Sequence, residues 1–356
     1  MSQIQYFLGS NSPAGFYSLY GALSDPERME RLYILKGGPG CGKSSLMRRV
    51  ARHAEAAGQP IEEVLCSGDP GSLDAVLLPG LKAAVVDGTA PHVIEAACPG
   101  AMDQYLDLSR FYDRAALRPI RDDLLAVTAR YKEHYRQAYR CLGAAGELRR
   151  NLQDAADSGE LRRRLEKRAA GIISRELKKD GGGGSTDRRF LSALTHRGAV
   201  TLWDTVGAQA ERVYELSDSN GMAHYLLSQL LTAARAGGHR AVACADPTFP
   251  DRLAHLILPD LSLAFVTSTA EQPWPHQAYR HLRLDAMADG EALREQRPRL
   301  RFTRKVAAAL EAEGVGCLAQ AKATHDELEG LYNSHVDFDG VYETADRLAE
   351  ELLGSQ

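Results

Sequence analysis

The stretch from Gly37 to Ser44 carries residue types and a spacing suited to binding a phosphate. It matches the pattern G-x-x-x-x-G-K-[ST]. The apolar run Leu32–Leu35 precedes it and predicts a short buried strand, and apolar residues at helical spacing follow it over residues 45–50. A strand, a glycine-rich loop and a helix in this order are the context in which the pattern marks a phosphate-binding loop. The sequence therefore predicts a nucleotide site here.

Each residue type in this loop has a physical role. Glycines allow the backbone to turn its N–H groups toward a phosphate, and the helix N-terminus adds positive potential. We expect Lys43 to contact the β- and γ-phosphates and to be catalytic, and the Ser44 hydroxyl to ligate Mg²⁺. The predicted nucleotide-binding residues are Gly38, Pro39, Gly40, Cys41, Gly42, Lys43, Ser44 and Ser45.

Cys41 lies inside the loop, beside Lys43 and at the start of the predicted helix. A nearby cation and a helix N-terminus both stabilise a thiolate, so we expect a lowered thiol pKa. The alternative is that Cys41 is simply a small residue that fills its position.

Asp87 is the predicted second ligand of the metal. The run Lys82–Val86 reads as a strand, and Asp87 ends it at the edge where open α/β sheets bind their ligands. We expect this carboxylate to hold Mg²⁺ directly or through water. The alternative is that it caps the turn that follows.

No glutamate follows Asp87, so the Asp-Glu pair that activates water in many ATPases is missing. Asp69, Asp74 and His92 are the nearby candidates for a base or a water-positioning group. Each also suits a turn or a cap. His92 is the preferred catalytic candidate, because the second half of the chain repeats Asp69 but not this histidine.

Composition limits the class of protein. A chain of 356 residues has room for two or three domains, and a formal charge of −4 does not suggest a nucleic-acid binder. No apolar run is long enough for a membrane helix. Six scattered cysteines without metal-site spacing fit reduced thiols, so we expect a cytoplasmic protein without membrane association.

The chain contains an internal repeat at an offset of roughly 180 residues. Three pairs of segments show it: Phe7–Gly15 with Phe190–Gly198, Arg31–Leu35 with Arg212–Leu216, and Leu78–Leu81 with Leu258–Leu261. Small changes in the offset are what short insertions and deletions in loops produce. Two copies of one module are therefore predicted.

The second copy has lost the residues of the phosphate loop. His224 stands in place of Lys43, and Tyr225 in place of Ser44. Asp218 would put a carboxylate where an anion should bind, and Thr267 stands in place of Asp87. This half should not bind a triphosphate in the usual way.

Residues 102–179 are rich in Leu, Ala, Arg and Glu at helical spacing, which predicts a long helical hairpin or bundle. A basic face recurs along it at Arg110, Arg114, Arg118 and Arg121. It is either a solvated helix face, a lid whose arginines reach a phosphate, or a surface for nucleic acid or a protein partner. Candidates in the second copy for an arginine that reaches the site are Arg197, Arg212, Arg240 and Arg252.

These observations predict an α/β fold of two tandem P-loop NTPase-like modules, each a mostly parallel sheet flanked by helices with an appended long helical region. The first module is residues 1–180, with helices over 102–179. Residues 181–187 form a flexible glycine-rich linker whose Gly-Gly-Gly-Gly-Ser run is also common in engineered linkers. The degenerate module is residues 188–356.

The loop 35–45 and the segment Val85–His92 resemble those of a poorly characterised family of bacterial tandem P-loop ATPases, also labelled predicted nucleotide kinases. The resemblance extends over nearly the whole chain and implies two P-loop modules. This chain departs from that pattern in the second module. The resemblance does not supply a substrate.

The leading hypothesis is a Mg²⁺-dependent enzyme that binds and hydrolyses ATP at one working site in the first module. ATP is favoured over GTP because the Asn-Lys-x-Asp guanine motif is absent. The first alternative is a kinase that transfers the γ-phosphate to a nucleotide or another small molecule. The second is a nucleotide-gated, non-catalytic scaffold for a protein partner. A further hypothesis, a nucleic-acid-stimulated ATPase, is supported only by the basic helix faces.

Overall fold

The computed structural model describes residues 3–178, 181–288 and 290–354. The first module contains the strands β1 (Ile4–Phe7), β2 (Gly9–Ser12), β3 (Gly15–Ser18), β4 (Arg31–Lys36), β5 (Glu62–Leu65), β6 (Leu73–Leu78), β7 (Ala83–Asp87) and β8 (Asp103–Asp107). Six of them form a sheet in the order β1-β5-β6-β7-β4-β8. β6 runs antiparallel to its neighbours, and the other adjacent strands pair in parallel. β4 and β7 are nearly continuous apolar runs because helices or loops cover both of their faces.

The second module repeats this topology. Its strands are β9 (Thr186–Arg189), β10 (Ser192–Thr195), β11 (Gly198–Thr201), β12 (Arg212–Ser217), β13 (Ala241–Ala245), β14 (Leu253–Leu258), β15 (Leu263–Ser268) and β16 (Arg280–Arg283). The sheet order β9-β13-β14-β15-β12-β16 matches that of the first sheet, strand for strand. The small hairpins β2–β3 and β10–β11 also correspond. The fold is thus α/β, with two tandem modules that share one topology.

The helices are α1 (Lys43–Ala56), α2 (Arg114–Leu117), α3 (Arg121–Ala156), α4 (Gly159–Glu176), α5 (Trp203–Gly207), α6 (Ala223–Ala236), α7 (Gly290–Glu295), α8 (Arg297–Asn333) and α9 (Phe338–Gly354). The two longest, α3 and α8, pack side by side in antiparallel orientation. Gly314 lets them approach closely, because a Cβ there would lie 2.8 Å from the Leu142 side chain. Arg149 also forms a bidentate pair with Glu311 across this contact.

The modules exchange their last helices. α9, at the end of the second module, packs on α1 of the first, and α4, at the end of the first module, packs on α6 of the second. Arg49 of α1 donates to Asp346 of α9 at 2.8 Å. Each module therefore completes the hydrophobic core of the other, since most buried residues of α9 share a cluster with those of α1, and buried residues of α4 share one with those of α6.

Two predicted boundaries differ from the structure. The helical region predicted from residue 102 starts later, because Asp103–Asp107 forms the edge strand β8, whose largely exposed residues lack a clear strand pattern. The linker predicted over 181–187 is shorter, since β9 begins at Thr186 and pairs with β13. α3 packs on α8 and α4 packs on α6, both helices of the second module, in place of the predicted hairpin within one module.

All six cysteines are free thiols, as their spacing predicted. Among the described residues, no helix has the length and apolar character needed to cross a membrane.

Candidate functional site

The glycine loop, Gly37–Ser44, connects the end of β4 to the start of α1. Gly40 and Gly42 have φ angles of +68° and +85°, in the left-handed region that favours glycine. A Cβ at Gly40 would also lie 2.5 Å from the Asn333 side chain. Glycine is thus required at both positions by conformation, and at Gly40 by close contact as well.

Lys43 folds back over the glycine loop. Its Nζ donates to the carbonyl oxygens of Gly37 and Gly38, at 2.9 Å each, and lies 3.6 Å from Asp87 Oδ2. Both side chains are largely shielded from solvent. The structure therefore brings together the lysine and the aspartate that the sequence singled out separately.

Asp87 reaches this position because β7 lies next to β4 and parallel to it, so the two strands end at the same edge. Its Oδ1 accepts from the backbone N and the Oγ1 of Thr89, at 2.9 and 2.6 Å. Its Oδ2 faces Lys43. One oxygen thus caps the turn, as in the alternative interpretation, while the other faces the loop.

Ser44 lies in the first turn of α1, and its hydroxyl accepts a hydrogen bond from the backbone N of Leu73 at 3.0 Å. The Ser44 hydroxyl and the Asp87 carboxylate are oxygen donors of the kind that Mg²⁺ prefers. The donor chemistry at this edge of the sheet therefore fits the ion.

His92 and Asp74 form a buried pair behind Asp87. One oxygen of each carboxylate and one ring nitrogen of His92 lie within 4.8 Å of one another. His92 Nδ1 is 3.0 Å from Asp87 O, and its Nε2 is 3.5 Å from Asp74 Oδ2. Tyr20 donates to the same Asp74 oxygen at 2.7 Å.

Burial lowers the pKa of His92, but the Asp74 and Asp87 carboxylates more than offset this and raise it to about 8. The imidazole is therefore mostly protonated at neutral pH. The two ring nitrogens of His92 face Asp87 O and Asp74 Oδ2. This arrangement favours a role in holding the turn at Asp87 over the base or the water-positioning group expected from the sequence. Asp69, the third candidate, accepts from Gly71 N at 3.0 Å and shapes a turn.

The expected lowering of the Cys41 pKa is wrong. The thiol is buried, and burial raises its pKa despite the opposing charge of Lys43, 4.0 Å away. Desolvation of the thiolate outweighs a single neighbouring cation here. The small-residue interpretation of Cys41 agrees with this environment.

Side chains distant in sequence also contact the glycine loop. Tyr112 donates from its hydroxyl to Pro39 O at 2.7 Å. The Asn333 amide nitrogen, at the end of α8, donates to Gly40 O at 2.9 Å. Neither residue could be recognised from the sequence, since neither belongs to a motif.

In the degenerate loop of the second module, the side chain of Asp218 lies at the start of α6. Asp218 Oδ2 accepts from Ala223 N, at the start of α6, at 2.6 Å. Burial raises the pKa of Asp218 to about 6, although the Met222 and Ala223 amides oppose the shift. A carboxylate thus occupies the N-terminus of α6, whereas the N-cap residue of α1 is Gly42, which has no side chain to cap the helix.

The predicted correspondence in this loop is wrong by one residue. α1 begins at Lys43 and α6 at Ala223, and their buried residues recur at a constant offset of 180, so Ala223 takes the place of Lys43 and His224 that of Ser44. His224 bonds to Gly221 O at 2.9 Å, and Tyr225 donates to Asp157 of the first module at 2.8 Å. Thr267 pairs with Leu216 in β12, as Asp87 pairs with Leu35 in β4.

Three of the four arginines considered in the second module bond to groups outside the glycine loop. Arg212 donates to Glu176, Arg240 to Asp187 and Arg252 to Gln153. Arg197 contacts the neighbouring His196 at 3.2 Å. In the basic face of the first module, Arg110 turns toward Thr344 of α9, at 3.2 Å. The other three arginines of that face line a cavity beside the glycine loop.

Comparison of the chain with protein family models, with curated proteins and with solved structures found no match. Interpretation of the site therefore depends on its own geometry and chemistry.

Proposed function

We propose that the protein is a Mg²⁺-dependent P-loop enzyme that binds and hydrolyses ATP at one site, in its first module. One observation carries the proposal: Lys43 lies 3.6 Å from Asp87, at the edge shared by two parallel strands and over a loop with the phosphate-binding pattern. A cation, a carboxylate and a helix N-terminus meeting at one point suit a triphosphate bound with a divalent metal.

Each group at this edge has a distinct proposed role. The backbone amides of residues 38–43 hold the β-phosphate, and Lys43 leaves its two carbonyl partners to contact the β- and γ-phosphates. Ser44 and Asp87 hold Mg²⁺, which neutralises charge on the phosphate oxygens. His92, held between Asp74 and the backbone carbonyl of Asp87, fixes the turn that presents the Asp87 carboxylate to the metal.

The second module takes a supporting role in this proposal. Its own loop is filled by Asp218, and Thr267 provides no carboxylate for a metal. It contributes α9 to the core beneath α1 and Asn333 to the outside of the glycine loop. We prefer ATP to GTP on the sequence argument, since the chain lacks the guanine-reading motif.

Phosphate release from Mg²⁺-ATP by the full chain tests the proposal. Lys43→Ala should abolish turnover and weaken binding, whereas the control change His224→Ala, in the first turn of α6 beside the degenerate loop, should leave both unchanged. Binding of ATP without release of phosphate would contradict the hydrolase assignment.

A small-molecule or nucleotide kinase is the second candidate, favoured by the arginine-lined cavity beside the loop. Phosphate that appears on an added acceptor, in place of free phosphate, would establish transfer over hydrolysis.

A further inference from the structure

An open cavity of about 430 Å³ lies near the glycine loop, and none of its lining residues belongs to that loop. Tyr112 forms part of its wall and also donates to Pro39 O, so this side chain links the cavity to the loop. Tyr332 of α8 lines it from the second module, with its ring centroid 5.1 Å from that of Tyr112. The cavity is thus built by both modules, next to the proposed triphosphate site.

Three arginines line this cavity: Arg114, Arg118 and Arg121. None of the described residues in its lining is acidic. The carboxylates that the structure brings near are outside the lining: Asp122 is 3.7 Å from Arg121, with both side chains well exposed, and Arg114 helps to lower the pKa of Asp107. Exposed ion pairs of this kind are weak, so the cavity keeps a strongly positive lining.

The rest of the lining is apolar or aromatic. Leu125 is 54% exposed although it belongs to this wall, and Leu117 and Leu124 lie beside it. Arginines next to exposed apolar and aromatic side chains suit a ligand with an anionic end and a planar or apolar body.

The second module has a smaller counterpart, of about 290 Å³, lined by Arg294, Arg297 and Arg304. Arg304 takes the position of Thr128 in the repeat and donates to Asn220 at 3.1 Å. Asn220 belongs to the degenerate loop of that module. The counterpart is therefore smaller because a long side chain and the degenerate loop both take up space.

We propose that the cavity of the first module binds a small phosphorylated molecule with a planar body, of the nucleoside monophosphate class, as a second ligand beside the glycine loop. The arginines hold the phosphate, and the leucines with Tyr112 and Tyr332 contact the body. The inference rests on the proposed function only in taking the neighbouring loop as the triphosphate site.

Calorimetric titration of the full chain with AMP, and separately with GMP, CMP and UMP, tests it. At least one should bind the wild type, and Arg118→Gln with Arg121→Gln should weaken that binding about tenfold or more. Arg140→Gln, which removes one exposed charge farther along α3, should leave the affinity unchanged. All three substituted arginines are exposed, so circular dichroism should show the same fold in each variant.

Lys43→Ala distinguishes binding in the cavity from binding at the glycine loop. Monophosphate binding should persist in this variant even where ATP binding is lost, so failure of one proposal does not imply failure of the other. Binding that is lost with Lys43 but kept in the double arginine variant would mean that the probe occupies the loop, and would overturn the inference. Failure of all four monophosphates to bind the wild type would overturn it as well.

Discussion

Phe7 and Phe190 exchange two backbone hydrogen bonds, each with an N-to-O distance of 2.9 Å. The two residues occupy equivalent positions in the repeat. Reciprocal hydrogen bonds between equivalent residues indicate a local two-fold axis between the modules. Tyr33 donates to Glu351 of α9 at 2.7 Å, and its counterpart Tyr214 donates to Glu176 of α4 at 2.6 Å. The exchange of helices thus follows the same symmetry.

This exchange predicts that the chain stays assembled after its linker is cut. With a protease site inserted between Gly182 and Gly183, the cleaved fragments should elute together in gel filtration, because α4 and α9 each remain packed on the opposite module. Added urea should separate them. Fragments that elute separately under native conditions would show that the exchanged helices do not hold the modules together.

Asp218 predicts a pH dependence of stability. Its pKa is about 6 in the folded chain and 3.8 ordinarily, so the folded state binds more protons between these values. Stability from this group is present below about pH 4 and is lost as the pH rises through about 6, by at most about 3 kcal/mol.

Asp218→Asn removes that titration. The free energy of unfolding of the wild type, measured with urea relative to this variant, should therefore fall as the pH rises from about 4 to about 7. Wild-type and variant curves that run parallel across this range would refute the assignment.

Asn333 and Gln153 give a matched pair of changes. Asn333 contacts Gly40 of the glycine loop, and Gln153 makes the corresponding contact with Gly221 of the degenerate loop. Asn333→Ala should weaken ATP binding about fivefold, the worth of one hydrogen bond of about 1 kcal/mol. Gln153→Ala should not change it. If calorimetry showed that both variants bind ATP as tightly as the wild type, the proposed effect of the Asn333 contact on ATP binding would be contradicted.

The sequence predicted the local parts of the site well. A strand, a glycine loop and a helix are contiguous, so their order is visible in one stretch. Asp87 could be placed near Lys43 because parallel strands end at a common edge, and the repeat predicted the loss of both residues in the second copy. The degenerate loop even revealed Asp218 as a carboxylate at an anion position.

The parts that were missed depend on contacts between distant segments. An amphipathic helix reveals that it packs, but not on which module, so the exchange of α4 and α9 could not be deduced. For the same reason Asn333 showed no signal. The pKa shifts of Cys41 and His92 depend on burial, and on carboxylates from two different strands, which a linear pattern does not contain.

The most direct test of the account is phosphate release from Mg²⁺-ATP by the wild type, Lys43→Ala and His224→Ala, measured side by side. If the glycine loop is the working site, the wild type and His224→Ala should release phosphate, and Lys43→Ala should release none. Equal turnover in all three proteins, or no ATP binding by the wild type, would contradict the assignment of the glycine loop as the working site.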